Sequence, residues 1–197
     1  MLESKEAQIE GIVGLEEAMF VTVVPETPAP CQQDTATFRV MRRAQFSAWP
    51  QDALVSYYHD LQTARKTGKN LMTLKYARMD DRIPPINTDP LIDEIVTIQV
   101  EWQYRLCQQY PSLLARGRPV EEMVAGVSFK RYLAAELETY SGRTLACLGR
   151  HIKAIYHDGG NMSEQVYLSM VRDLGYGSLE EAEQLAANQR TNRVVIK

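Results

Sequence analysis

The residues of this 197-residue chain that could do chemistry are carboxylates set among apolar neighbours at helical spacing. Glu16 stands four residues from Ile12 and Phe20 and three from Val13 and Met19, so a helix there turns its carboxylate inward. Glu136 lies one turn from both Tyr132 and Tyr140, with Leu133 and Leu137 close beside it. An inward carboxylate is expensive unless something pairs with it. Glu16 therefore calls for an ion-pair partner such as Arg39 or Arg118, or else it is a site carboxylate. A glutamate flanked by two phenols fits a hydrogen-bonded polar seam and equally a lined pocket, with Tyr140 in its wall. In the pocket reading Glu16 and Glu136 are the candidate general acid and base.

Other polar positions join this set. Arg116 and Arg118 flank Gly117 and could clamp a carboxylate or phosphate with two planar forks, or serve as helix-end partners. Glu101 has Arg105 one turn on for a solvated pair, while Ile98 and Trp102 leave it a half-buried place. Cys31 follows a proline-rich loop and precedes Asp34 at a helix start, where positive charge favours a thiolate; a buried, inert thiol is the competing reading. His151 falls on an apolar stripe and reads as a histidine at the edge of the core. Sharper reaction classes meet no support. No histidine follows a glutamate by three residues, as a di-iron bundle needs, because Ser56, Leu148 and Ala154 hold those positions. There is no P-loop, no G-x-G-x-x-G and no G-x-S-x-G, and three scattered cysteines give no C-x-x-C pair. No metal site is expected, and the sequence specifies no cofactor.

The elements that must position these residues are helices throughout, since apolar residues recur at helical spacing and alternating runs are nearly absent. A first helix spans about 6 to 24 with Ile9, Ile12, Val13, Phe20 and Val23 inward, ended by Pro25. Asp34 or Thr35 caps a second helix to about Ala48, a third covers about 51 to 66 before Gly68, and Asn70 caps a fourth through Met79. Thr88 or Asp89 caps the next, with Pro90 in its first turn, and Leu91, Ile95, Ile98, Trp102 and Leu106 face in. The longest helix is predicted from about Ser128 to His157, followed by Gly159-Gly160. Asn161 with Glu164 and Ser178 with Glu181 have capping-box spacing and start two more. The expected fold is all-α, one domain over 1–190 with seven or eight helices, and a frayed tail over 191–197.

Composition sets outer bounds. At 45% hydrophobic and 24% charged the chain can fill a core, and a net charge of −3 lacks the basic footprint of a nucleic-acid binder. No apolar run approaches a membrane span, and Met1-Leu2-Glu3-Ser4-Lys5-Glu6 is unlike a secretory signal, so a cytoplasmic location is expected.

Several stretches occur together in order: Glu16-Glu17-Ala18-Met19-Phe20, Cys31-Gln32-Gln33-Asp34, Phe38 with Gln45-Phe46, Gly68-Lys69-Asn70-Leu71 and Lys75-Tyr76-Ala77. Glu101-Trp102, Arg116-Gly117-Arg118-Pro119, Glu136-Leu137-Glu138-Thr139-Tyr140-Ser141 and Tyr176-Gly177-Ser178 continue the order to nearly the end of the chain. In this the chain resembles a bacterial family, domain of unknown function 4125. The resemblance implies a shared fold and brings no activity with it. Two readings of the whole follow. In one, Glu16, Cys31, Asp34, Arg39, Glu101, Arg116, Arg118, Glu136 and Tyr140 converge on a cleft for a small polar or anionic metabolite, with acid/base chemistry by Glu16 or Glu136. That reading requires a pocket in which at least one carboxyl keeps its proton more tightly than usual. In the other, the inward charges form a structural ion-pair network inside a binding or accessory module; they are pairwise satisfied, there is no cavity, and an exposed apolar patch serves a partner.

Overall fold

Helix starts in this chain are written in side chains that can accept from the backbone. Ser4, Asp34, Asn70, Asp89, Ser128, Ser141 and Asn161 each accept a backbone N–H of the first turn that follows. The computed structural model describes residues 4–23, 34–121 and 127–195. Among them run α1 (Lys5–Phe20), α2 (Thr35–Ser47), α3 (Gln51–Lys66), α4 (Leu71–Met79), α5 (Pro90–Gln109), α6 (Phe129–Leu137), α7 (Gly142–His157), α8 (Met162–Asp173) and α9 (Leu179–Val195). A short 3-10 turn, Leu114–Arg116, lies between α5 and α6. No strand occurs among the described residues, and none of their helices is long and apolar enough to cross a membrane.

There are nine described helices rather than seven or eight, because the single helix expected over 128–157 is two. Ser141 adopts an extended backbone with ψ 155° and accepts from Thr144 N, which starts α7 afresh. The preceding bonds tighten to Thr139 N→Glu136 O and Tyr140 N→Leu137 O, as at a helix end. The carboxylate of Glu138 is meanwhile drawn sideways to Arg78 Nε (2.8 Å) and Ile86 N (3.0 Å). Both halves pack on the same core, so the apolar stripe runs through the break and periodicity alone does not reveal it. At the other end of the chain, α9 carries helical backbone past residue 188 to Val195.

The main core gathers Ile12, Val13, Phe20, Phe46, Trp49, Leu54, Tyr57, Leu61, Ile95, Trp102, Leu137, Leu145 and Ile152. A smaller one of Leu106, Tyr110, Val171, Leu179 and Ala182 ties α9 to the ends of α5 and α8. Helix α1 packs on α2, α3 and α4; α5 packs on α6, α7 and α8; α2 and α8 lie together, as do α4 and α6. Gly68 ends α3 at φ 67°, a left-handed conformation that a side chain would strain, and so turns the chain into α4. This arrangement brings the inner faces of α1, α2, α4 and α6 onto one line.

Candidate functional site

Along that line four charges meet inside the protein. Glu16 on α1 is 0% exposed, Arg42 on α2 is 4%, and Lys75 on α4 and Glu136 on α6 are each 2%. Arg42 meets Glu16 side-on through two bonds, Nε to Oε2 and Nη2 to Oε1, each of 2.6 Å. Its other amino group donates to Glu136 Oε1 at 2.9 Å and to Gln45 Oε1 at 2.6 Å. Lys75 Nζ donates to Glu136 Oε2 at 2.5 Å and to Tyr132 Oη at 2.6 Å. The phenols of Tyr57 and Tyr140 donate to Glu16 and Glu136, each at 2.7 Å, and Gln45 Nε2 reaches Glu136 Oε1 at 3.0 Å. Two carboxylates and two cations thus alternate across four helices, Glu16–Arg42–Glu136–Lys75, with no net charge.

The electrostatics follow from this alternation. Burial by itself would drive Glu136 toward its neutral form, but Arg42 and then Lys75 outweigh it and hold the carboxyl well below the usual range. Burial works against the charge of Lys75 as well, and Glu136 reverses it, so the amine binds its proton more tightly than an ordinary lysine. Burial and then the neighbouring carboxylates push the Tyr57 and Tyr140 phenols well above their ordinary value. A carboxylate kept ionised in this way is a poor proton acceptor at neutral pH. The carboxyl of raised proton affinity that the pocket reading asks for is not found at Glu136.

A cavity of about 330 Å³ opens on the other side of the seam. Arg42, Gln45, Lys75, Glu136 and Tyr140 face it, whereas Glu16 sits behind Arg42 and does not. Most of the wall is apolar: Phe20, Phe38, Trp49, Met72, Leu133, Leu148, Met162, Val166 and Met170. Thr37, Met41, Gly117 and Arg118 are the exposed members of the lining and mark its open side. Across from the seam, α5 contributes Gln99 and Gln103, and α8 contributes Ser163 and Tyr167. Gln103 Nε2 donates to the Tyr167 hydroxyl at 3.2 Å. Gln99 is 9% exposed and Ser163 7%, and the side chain of neither makes a hydrogen bond to another described residue.

The predicted site residues separate into three groups. Glu16, Glu136 and Tyr140 come together, although of these only Glu136 and Tyr140 line the cavity, and Arg118 joins the same neighbourhood, its guanidinium stacked 4.7 Å over the Tyr132 ring. The partner of Glu16 is neither Arg39 nor Arg118 but Arg42. Arg39, three residues earlier on α2, points outward and pairs with Glu17 at 3.1 Å. Asp34 is spent as the α2 cap, accepting from Thr37 N and Thr37 Oγ1, and those bonds lower its pKa. Glu101 pairs with Arg105 and accepts from Tyr156 at 2.8 Å, away from the cavity. Cys31 lies outside the described residues, and Arg116 contributes backbone to the 3-10 turn. His151 Nε2 rests 3.0 Å from Ala48 O at the core edge, in keeping with its place on the stripe.

Sequence reasoning passed over Arg42, Lys75, Gln99 and Ser163. Arg42 lies one turn from both Phe38 and Phe46, and Lys75 one turn from both Leu71 and Met79. That is the signal that picked out Glu16, carried by cations instead of acids. Gln99, four residues after Ile95, is legible in the same way. Ser163 sits in the first turn of α8, where a serine is unremarkable, and nothing in the sequence marks it.

The chain belongs to the DUF4125 family, described as a protein of unknown function, whose model matches residues 6–184. No curated protein and no solved structure matches it.

Proposed function

We propose that this protein binds a small, largely apolar organic molecule in the cavity between α2, α4, α5, α6 and α8. The observation that carries this reading is the pair Gln99 and Ser163: two polar side chains of low exposure that line an apolar hollow and make no side-chain hydrogen bond to another described residue. Their polar atoms are not sealed off but open onto the hollow, where water or a ligand can complete them. The hollow also has the size and the mixture of apolar wall with a few polar groups typical of small-molecule sites. The charged seam belongs to the same reading as its rigid rear wall. Glu16 and Glu136 hold Arg42 and Lys75 in place there, and the proposed activity is binding without proton transfer by either glutamate.

A thermal-shift screen of small organic acids, alcohols and amides tests this. Binding compounds should raise the melting temperature of the wild type. The rise should shrink in Gln99→Leu and vanish in Val166→Phe, which fills the hollow. If no compound shifts the wild type and Gln99→Leu is itself strongly destabilised, Gln99 is structural and the proposal fails.

A further inference from the structure

Resting on that reading, we infer that the ligand is an organic monoanion, a carboxylic acid with an apolar body, whose carboxylate sits between Arg118, Lys75 and Tyr132. Lys75 and Arg118 both lie against the Tyr132 ring in the cavity wall, and no described carboxylate other than Glu136 pairs with either. The ammonium of Lys75 has three N–H bonds, gives two hydrogen bonds, to Glu136 and Tyr132, and stands 3.9 Å from the centre of the Tyr132 ring. Tyr132 Oη accepts from Lys75, and its own O–H has no described acceptor. Arg118 makes no ion pair with a described carboxylate; its contact is the face of the Tyr132 ring, which orients the planar fork and leaves its donors available.

Charge balance specifies the ligand further. The charged residues lining the cavity are Arg42, Lys75, Arg118 and Glu136, and Glu16 stands directly behind Arg42. The Glu16–Arg42–Glu136–Lys75 set sums to zero, so among the described residues that line the cavity Arg118 adds one uncompensated positive charge. A carboxylate cancels it; an ammonium group doubles the excess, and an alcohol leaves it standing. The opposite wall differs in kind. Gln99 and Ser163 can each both donate and accept, which suits a neutral polar group or a water on the far end of the ligand. Since Arg118 is at the open side, an acid would enter apolar end first and be held by its charge at the mouth.

Calorimetric titration with octanoate and octan-1-ol, which share an apolar chain, tests the inference. Octanoate should bind about tenfold or more tightly than the alcohol at low ionic strength, as a charge-assisted bond to arginine implies. That preference should fall to near parity in Arg118→Ala and decline with added salt. Arg118 is exposed, so the variant is expected to fold, and its far-ultraviolet circular dichroism checks this. Val166→Phe should remove binding of both compounds, which places them in the hollow. Equal affinity for acid and alcohol, or a preference untouched by Arg118→Ala, overturns the carboxylate assignment while the hollow remains a binding site. Binding of neither compound overturns the assignment too; the cavity reading itself then stands or falls on the thermal-shift screen.

Discussion

Two polar regions face each other across one cavity, and they are built on opposite terms. On the seam side, every carboxylate oxygen of Glu16 and Glu136 has a donor, from Arg42 and Gln45 on α2, Tyr57 on α3, Lys75 on α4, and Tyr140 just past the end of α6. On the far side, Gln99 and Ser163 are only slightly more exposed, and their side chains make no hydrogen bond to another described residue. Burial is similar in the two regions; what differs is how many hydrogen bonds the described residues supply. Groups that the protein satisfies lock helices to one another; in the proposed reading, the polar groups left open to the hollow are the ones a ligand meets.

The comparison breaks first at Arg42. Arg42→Met strips the cation shared by two buried carboxylates and should destabilise the protein by about 3–5 kcal/mol in urea unfolding, the usual cost of orphaning a buried charge. A loss below about 1 kcal/mol would mean that water reaches the seam and the two regions are alike after all. Next comes coupling. Lys75→Met and Glu136→Gln should each be costly, yet the double variant should cost less than their sum by about 1–3 kcal/mol, because the second change removes the charge that the first exposed. Additive losses would show that the pair is not a unit.

Titration sharpens the contrast from another direction. Glu136, ordinarily near 4.5, is held lower when folded. The unfolded chain thus takes up a proton that the native one refuses, and stability should drop as pH falls below about 4.5, by up to ~1.4 kcal/mol per pH unit. Lys75 runs the other way: its folded value lies above the ordinary 10.5, so its contribution is complete below that pH and is lost as pH rises through the folded value. Tyr57 and Tyr140, raised from 10.0, add to the alkaline loss because only the unfolded phenols ionise readily there. Denaturation midpoints measured from pH 3 to 11 should trace this plateau, and Glu136→Gln should flatten its acid limb. The smallest effects belong to the far wall. Without ligand, Gln99→Leu and Ser163→Ala should change stability by no more than about 0.5 kcal/mol, since neither side chain makes a hydrogen bond to another described residue. A loss of 2 kcal/mol or more in either would reveal a hidden partner and erase the distinction.

Much of this architecture is legible in the residues alone. Asp34, Asn70, Asp89, Asn161 and Ser178 mark helix starts because a side chain that can accept a first-turn N–H does so wherever the chain is otherwise helical. Ser141 carries the same chemistry and is overlooked because an unbroken apolar stripe surrounds it. Glu16 and Glu136 stand out as inward acids for the reason that an amphipathic helix has only one dry side. Their partners are less visible. Arg39 and Arg42 are near neighbours on α2, and which of them turns toward Glu16 depends on the rotation of α2 against α1.

The sequence by itself determined the helical class, nearly every helix start, and the inward placement of Glu16, Glu136 and Tyr140, because propensity, capping and periodicity act within a few residues. Only the tertiary structure decided that one arginine joins both glutamates, that Lys75 completes the set, and that Gln99 and Ser163 face a hollow without a side-chain hydrogen bond to another described residue. Those outcomes are set by distances between residues 26 to 94 positions apart in the chain, where pairing depends on how helices pack and no local rule reaches.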